Sequence, residues 1–298
     1  MELVDSKSGL VFRAIGGFFF VAAGEDRYRC VLKGTLKKKE EVLVGDRVVF
    51  TPTAPGEGVI TALEPRRRRL VRPPVANVDK ALIVFAVKVP PPSFAMLDRM
   101  LVQAEAAGVE AVVCLNKIDL AADQREIAGL LEPYRRAGYV TYAVSSKTRA
   151  NIDLLRSELA GVITVLAGQS GVGKSSLLNA LEPGLSLATG EVSERTLRGR
   201  HTTRRVELLP LTGGGWVADT PGFSALELPD VAPEELVYLF PELAVLAPKC
   251  RYPSCRHELE PGCAVRAAAD AGEVATSRLA SYYEMVRELR ERRRKNEW

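Results

Sequence analysis

No stretch of this sequence is long and apolar enough to cross a bilayer. Its most apolar segment, residues 81–87, stops at Lys88 and the prolines Pro90, Pro91 and Pro92, whereas a spanning helix needs about 20 such residues. The beginning, Met1-Glu-Leu-Val-Asp5, has no basic patch leading into an apolar run, so no secretory signal is expected. Internal repeats and long low-complexity segments are also missing, which sets aside repeat architectures. Histidine is scarce, with only His201 and His257, and there are five cysteines, three of them within residues 250–263. In a chain without a secretory signal, clustered cysteines point to a bound metal rather than to disulfides. The expectation is a cytoplasmic protein with no membrane partner.

What is present suits an ordinary globular chain. Its 298 residues suggest two or three domains, 47% are apolar and 26% charged. A net charge of +4 and a pI near 8.8 are too mild to demand a nucleic-acid partner. The basic residues are concentrated, however, at residues 66–69 and 290–295.

Residues 1–72 read as a small β-barrel. Short apolar segments at 9–15, 17–22, 28–32, 46–50 and 58–63 are separated by turn residues. Five strands at this spacing fit an OB-fold, with an SH3-like barrel as the competitor. Phe18, Phe19 and Phe20 are consecutive, so at least one faces the core, and no obvious aromatic stacking pair is seen. Residues 66–74 read as a basic, proline-punctuated linker.

From 73 to 228 the pattern alternates strand and helix. Strands are expected at 81–87, 111–115, 140–144 and 162–167. A helix is expected at 94–107, with Met96, Leu97, Met100, Leu101 and Ala104 on one face, another from an Asn151 cap to Leu159, and a third at 174–181. This predicts a mostly parallel sheet covered by helices, with a hairpin at 204–210 and 215–218. After Pro229 the alternation ends. Residues 229–298 read as a cysteine-rich loop and a helix at 276–294, with Leu279, Tyr283, Val286 and Leu289 at helical spacing.

Gly168-Gln-Ser-Gly-Val-Gly-Lys-Ser175 fits the phosphate-loop pattern and lies between an expected strand and helix, the context a true match requires. Glycines let backbone N–H groups curl around a phosphate, and the helix N-terminus adds a favourable dipole. Lys174 would reach the β- and γ-phosphates, and the Ser175 hydroxyl would ligate Mg²⁺. The candidate cradle is Gly168, Gln169, Ser170, Gly171, Val172, Gly173, Lys174, Ser175 and Ser176. Asp219-Thr-Pro-Gly222 follows another strand, so Asp219 could hold Mg²⁺ through water and Gly222 could offer its N–H to the γ-phosphate.

Asn116-Lys-Ile-Asp119 ends one strand and Ser145-Ser-Lys147 the next. The first is similar to the guanine-reading motif of GTPases. Asp119 would accept from guanine N1–H and N2–H₂, which adenine lacks. Asn116 would approach the N7 side, and the Lys117 stem would cover the ring. Ser145, Ser146 and Lys147 are similar to the companion loop whose backbone N–H meets O6. Two such loops at consecutive strand ends suit a ligand at the carboxyl edge of a sheet. The ligands expected are GTP and GDP. An ATPase, and an RNA-binding module with a merely structural nucleotide, are the rival readings.

The guanine motifs precede the phosphate loop, the reverse of most GTPases, which implies a circular permutation. Arg72-Pro-Pro-Val-Ala-Asn-Val-Asp79, residues 168–175, Gly199-Arg-His-Thr-Thr203, Asp219-Thr-Pro-Gly-Phe223 and a Cys-x4-Cys-x-His-x5-Cys run together resemble the RsgA (YjeQ/YloQ) family of circularly permuted, small-subunit-dependent GTPases. The resemblance covers essentially the whole chain. It implies an α/β fold, with a permuted GTPase domain flanked by an N-terminal OB-fold and a C-terminal zinc-binding α-helical domain. It also implies late maturation of the small (30S) ribosomal subunit, with that subunit and its rRNA as partners. Lys80 departs from the family's glutamine.

Phe223 stands where many GTPases carry a water-orienting glutamine. His201 lies beside Thr202 and Thr203 in a long loop that reads as switch I. An imidazole titrates near neutrality and can accept from or donate to water, so His201 is the catalytic candidate, a role the resemblance also implies. Thr203 is the favoured Mg²⁺ ligand, with Thr202 as the alternative. Cys250, Cys255, His257 and Cys263 offer three thiolates and one imidazole, a set that suits one structural, tetrahedral Zn²⁺. Cys30 and Cys114 fall within apolar strands and read as core residues. Beside an OB-fold and a zinc module, the two basic runs are expected to touch RNA. A monomer is expected.

Overall fold

The computed structural model describes residues 5–36, 41–70, 74–185, 206–219 and 227–296. Strands β1 (Lys7–Ile15), β2 (Phe18–Ala23), β3 (Asp26–Leu32), β4 (Arg47–Ala54) and β5 (Glu57–Leu63) close in the order β1-β2-β3-β5-β4-β1. Only the β3–β5 pair is parallel. This closed Greek-key barrel is the OB-fold of the two alternatives. Val11, Val21, Cys30, Val48, Phe50 and Ile60 fill it without solvent exposure. Of the three consecutive phenylalanines, Phe19 packs against that core, Phe20 lies 6.2 Å from the Phe12 ring, and Phe18 is exposed.

Residues 66–74 do more than link. Strand β6 (Arg69–Leu70) pairs antiparallel with β7 (Val75–Ala76), and Val75 bridges to Val44 of the barrel side. Arg66 grips the buried Asp46 carboxylate with Nε and Nη2 at 2.7 and 2.8 Å, while Arg67 meets Asp79 and Arg69 meets Glu41. Part of the basic run thus ties this segment to the barrel side and to Asp79, while Arg67, Arg68 and Arg69 remain exposed.

That domain is built on β8 (Lys80–Ala86), β9 (Glu110–Asn116), β10 (Val140–Ala143), β11 (Ile163–Ala167), β12 (Glu207–Pro210) and β13 (Trp216–Asp219). Their order is β10-β9-β8-β11-β13-β12, parallel except for β12. Helices α1 (Phe94–Ala106), α2 (Gln124–Arg136), α3 (Ile152–Glu158) and α4 (Lys174–Leu181) cover it. On β8, Ala81, Ile83 and Phe85 join one core cluster with α1 and α2, and Leu82, Val84 and Ala86 join a second with α3 and α4. Burial on both faces explains why β8 is apolar without alternation. β12 also touches β1 through one register pair, Arg13 with Glu207, so sheet and barrel are continuous.

One local reading is corrected. Asn151 does precede α3, but its backbone is left-handed (φ 59°) and its side chain donates to the Ala143 carbonyl instead of capping the helix. Helix α2 falls between two expected strands and adds to the sequence reading: Asp123 accepts from the Glu126 N–H and Glu126 reaches back to the Ala122 N–H, a reciprocal N-terminal cap.

The C-terminal part contains α5 (Pro241–Ala244), α6 (Ala264–Asp270) and α7 (Thr276–Asn296). Phe240, Leu243, Val265, Tyr282, Met285, Val286 and Leu289 form its core, and Val102 of α1 belongs to the same cluster. Arg278 of α7 is 1% exposed, bonded to Asp98 of α1 at 2.8 Å and to Glu242 of α5 at 2.7 Å. Among the described residues no helix is long and apolar enough to cross a membrane.

Candidate nucleotide-binding and metal sites

Strand β11 delivers the chain into the loop 168–173, and α4 begins at Lys174. Gly168 (φ 139°) lies so close to β8 that a Cβ there would sit 2.2 Å from the Val84 carbonyl oxygen. At Gly173 (φ 93°) a Cβ would meet the Asn116 amide nitrogen at 2.7 Å. Both positions require glycine for backbone conformation and for space. Lys174 Nζ turns back onto the Gly168 and Gln169 carbonyls at 2.7 and 3.0 Å. Ser170 and Gly171 are exposed, Val172 is buried in the sheet-side core, and Ser175 and Ser176 stand partly buried in the first turn of α4.

The loops after β9 and β10 converge on this one. Asn116 is fully buried and spans all three: its Nδ2 donates to the Val172 carbonyl at 3.0 Å, and its Oδ1 accepts from the Ser146 N–H and hydroxyl at 3.2 and 3.0 Å. Lys117 takes a left-handed backbone (φ 61°), which aims its ammonium at the Gly171 and Val89 carbonyls, both at 2.7 Å. The Ser145 hydroxyl donates to Asp119 Oδ1 at 2.6 Å and accepts from the Thr148 N–H. Lys147 continues that loop at the surface. Strand β13 runs parallel beside β11, with Val165 opposite Ala218, so Asp219 ends its strand next to the glycine loop. His201, Thr202, Thr203, Gly222 and Phe223 lie outside the described residues.

The sequence reading missed Val89 to Pro92 as part of this site. Lys117 holds the Val89 carbonyl, and Pro91 and Pro92 line a small crevice with Gly168 and Gln169. The only signal was a proline run directly after an apolar strand. Lys80 is explained as well: its ammonium lies between Glu110 of β9 and Glu158 of α3.

In the C-terminal part, the ligand atoms of Cys250, Cys255, His257 and Cys263 all lie within 4.8 Å of one another. Cys250 and Cys263 Sγ are 4.0 Å apart, and His257 Nδ1 is 3.5 and 3.6 Å from them. A tetrahedral zinc with Zn–S about 2.3 Å and Zn–N about 2.0 Å needs S–S and S–N edges of about 3.8 and 3.5 Å. The donor set and its spacing therefore fit Zn²⁺, with Nδ1 as the ligating nitrogen. Glu260 organises the loop. Burial works against its charge, but the N–H groups of Arg256, Glu258 and Leu259 hold its carboxyl down to about 2. Burial pushes the Cys30 thiol up to about 11 and raises that of Cys114 still further, as suits inert core residues.

A sequence profile of the RsgA GTPase matches residues 63–229, and one of the RsgA N-terminal domain matches residues 8–60. A protein of Moorella thermoacetica named small ribosomal subunit biogenesis GTPase RsgA is 49% identical over 96% of this chain and 98% of its own length. The chain belongs to the RsgA GTPase family. An RsgA of the same description from Geobacillus thermodenitrificans is 46% identical over 96% of this chain and 98% of that one. The crystal structure of YjeQ from Thermotoga maritima matches with a TM-score of 0.83 and 39% identity, covering 96% of this chain and 99% of the other. That of YloQ, described as a circularly permuted GTPase, matches at 0.80 and 38%, covering 97% and 96%. As an RsgA-family member the chain is a GTP hydrolase, and its strand order carries the permutation: β8, β9 and β10, with the Asn116 and Ser145 loops, come before β11 and the glycine loop.

Proposed function

We propose that the chain hydrolyses GTP to GDP and phosphate in late maturation of the small ribosomal subunit, and that the bound subunit stimulates the reaction. The observation that carries this is Asn116, which ties the base loops to the phosphate loop in one buried cluster. In this reading residues 1–72 and 229–298 contact rRNA, and residues 73–228 bind nucleotide. Asp119 selects guanine, Lys117 covers the ring, and the Ser145–Ser146–Lys147 backbone meets O6. The N–H groups from Gln169 to Ser176 cradle the phosphates, displacing Lys174 from the two carbonyls it now holds toward the β- and γ-oxygens. Ser175, Thr203 and Asp219 would hold Mg²⁺, which when bound would supply positive charge against the phosphates.

His201 positions the attacking water, and the Gly222 N–H meets the γ-phosphate. The protein works as a cytoplasmic monomer. GTPase rates measured with isolated small subunits, with large subunits and without ribosomes test the reading. Stimulation by small subunits alone is expected, and equal rates in all three would overturn it.

A further inference from the structure

The glycine loop has little of its own to keep it in shape. Gly168, Gly171 and Gly173 all take positive φ, at 139°, 82° and 93°, and glycine loses more conformational freedom on ordering than any other residue. Across the turn, the Val172 N–H reaches the Gln169 carbonyl only at 3.5 Å. The loop is therefore held largely from outside. Asn116 and Lys117 grip the Val172 and Gly171 carbonyls, and a further contact comes from the segment between β8 and α1.

That segment is stiff and is fixed at both ends. Val89-Pro-Pro-Pro92 contains three successive X-Pro bonds. Each proline fixes its own φ and disfavours the helical region for the residue before it. Upstream, Lys88 pairs with Glu126 of α2 at 3.2 Å, and the Val89 carbonyl accepts from Lys117. Downstream, the Leu97 N–H donates to the Ser93 carbonyl as α1 opens. Between these anchors the prolines meet the loop. A Cβ on Gly171 would lie 3.6 Å from Pro90 Cδ, and Pro91 and Pro92 line a crevice with Gly168, Gln169, Val172 and Met96 of α1.

We infer that Pro91 and Pro92 are positioning residues for nucleotide binding. They form a stiff strut that keeps residues 168–172 in phosphate-binding shape, and they set affinity through that loop. A flexible segment in their place would let the glycines sample other conformations. Apparent affinity then falls in proportion to the fraction of chains that stay competent, whereas a loop ordered in advance binds at a lower entropic cost. This inference rests on the reading of residues 168–176 as the phosphate cradle and names what holds that cradle ready.

The test compares Pro91→Gly/Pro92→Gly with Pro91→Ala/Pro92→Ala in the full zinc-loaded chain. Both remove the pyrrolidine rings, but glycine leaves the backbone far freer than alanine does. Lys174→Ala and Pro55→Gly, the latter in the exposed turn between β4 and β5, serve as references. GDP and a non-hydrolysable GTP analogue are titrated well below each variant's melting temperature. Amide hydrogen exchange over residues 169–173 is followed in the nucleotide-free chain. The double glycine variant is expected to bind both nucleotides roughly tenfold more weakly, as when a tenth of the chains stay competent, and to exchange faster in the loop. The double alanine variant is expected to lose less on both counts, and Pro55→Gly to lose nothing. Pro91→Gly alone, at an exposed position, carries the same test should the double variant not fold. Wild-type affinity and exchange in the glycine variants, beside a loss in Lys174→Ala, overturn the strut alone, even where melting falls. Equal losses in the glycine and alanine pairs also overturn it, because the rings then act by contact and not by stiffness. Wild-type GDP affinity in Lys174→Ala overturns the phosphate cradle itself.

Discussion

At the scale of single residues, the proposed function assigns base choice to one carboxylate. Asp119 already accepts from the Ser145 hydroxyl through Oδ1. Replacing it with asparagine exchanges an acceptor for a donor facing guanine, and a hydrogen bond to a charged group is worth about 1.5–3 kcal/mol. Asp119→Asn is expected to lower GTP affinity at least tenfold and to gain xanthosine triphosphate, read by competition titration. Unchanged GTP affinity would remove these loops from the base site. The proposed function gives His201 a part in the chemistry instead. His201→Ala should leave GTP and GDP affinity intact and lower the subunit-stimulated rate by about 10²–10⁴-fold, the usual worth of a positioned acid–base group. Single-turnover hydrolysis with and without saturating small subunits decides it, and full residual stimulation would assign the water to another group.

At the scale of elements, the zinc loop and the β8–α3 tie make separate predictions. Cys255→Ser removes one of four ligands, so it should release metal and loosen residues 230–296 while GTP binding persists, since metal affinity here is folding free energy. Metal analysis with thermal melting checks this, and a wild type purified without chelator yet free of zinc would refute it. For Glu158, burial favours the neutral acid, but hydrogen bonds from Lys80 and Tyr142 outweigh it and hold the carboxyl below its ordinary value. A depressed carboxyl stabilises the fold above the unfolded value of about 4.3 and loses that contribution as pH falls through the folded one. Lys80→Gln should therefore cost roughly 1 kcal/mol at pH 7 for a largely buried pair, and the gap to wild type should shrink below about pH 4 in urea melts. The glycine loop, the converging base loops and the cysteine cluster were legible because each needs fixed residue types at fixed spacing. The β8 tie and the Arg66–Asp46 grip were not, because they join residues 20 to 78 positions apart, and a charged side chain in sequence looks the same whether it meets solvent or a partner. Helix α2 escaped notice although Ile127, Leu131 and Tyr134 mark its buried face.

At the scale of the whole molecule, the C-terminal part is docked through charge as well as apolar contact. Arg278 faces Asp98 and Glu242 with almost no solvent, and its guanidinium lies 4.6 Å from the Phe240 ring centroid. Arg278→Met leaves two buried carboxylates without their cation, which costs about 3–5 kcal/mol. Melting should fall accordingly, and adding Asp98→Asn and Glu242→Gln should recover part of the loss. No recovery would mean that packing on Phe240 rather than charge holds the joint. The connection onward is tight as well: Gln103 of α1 donates to the Glu227 carbonyl at 2.7 Å, just past the segment that follows Asp219. The permuted strand order has a further consequence, for biosynthesis. β11 is the middle strand that pairs with both β8 and β13, yet β8, β9 and β10 are all made before it. On a translating ribosome β8 must wait with one edge open for roughly 80 residues, about 4–16 s at ordinary elongation rates. During that interval the loops after β9 and β10 are made before any glycine loop exists to meet them, and the nascent chain exposes an apolar strand edge of the kind that invites chaperones or mispairing. A pause in translation between residues 87 and 162 should therefore lower the soluble yield more than one after residue 219.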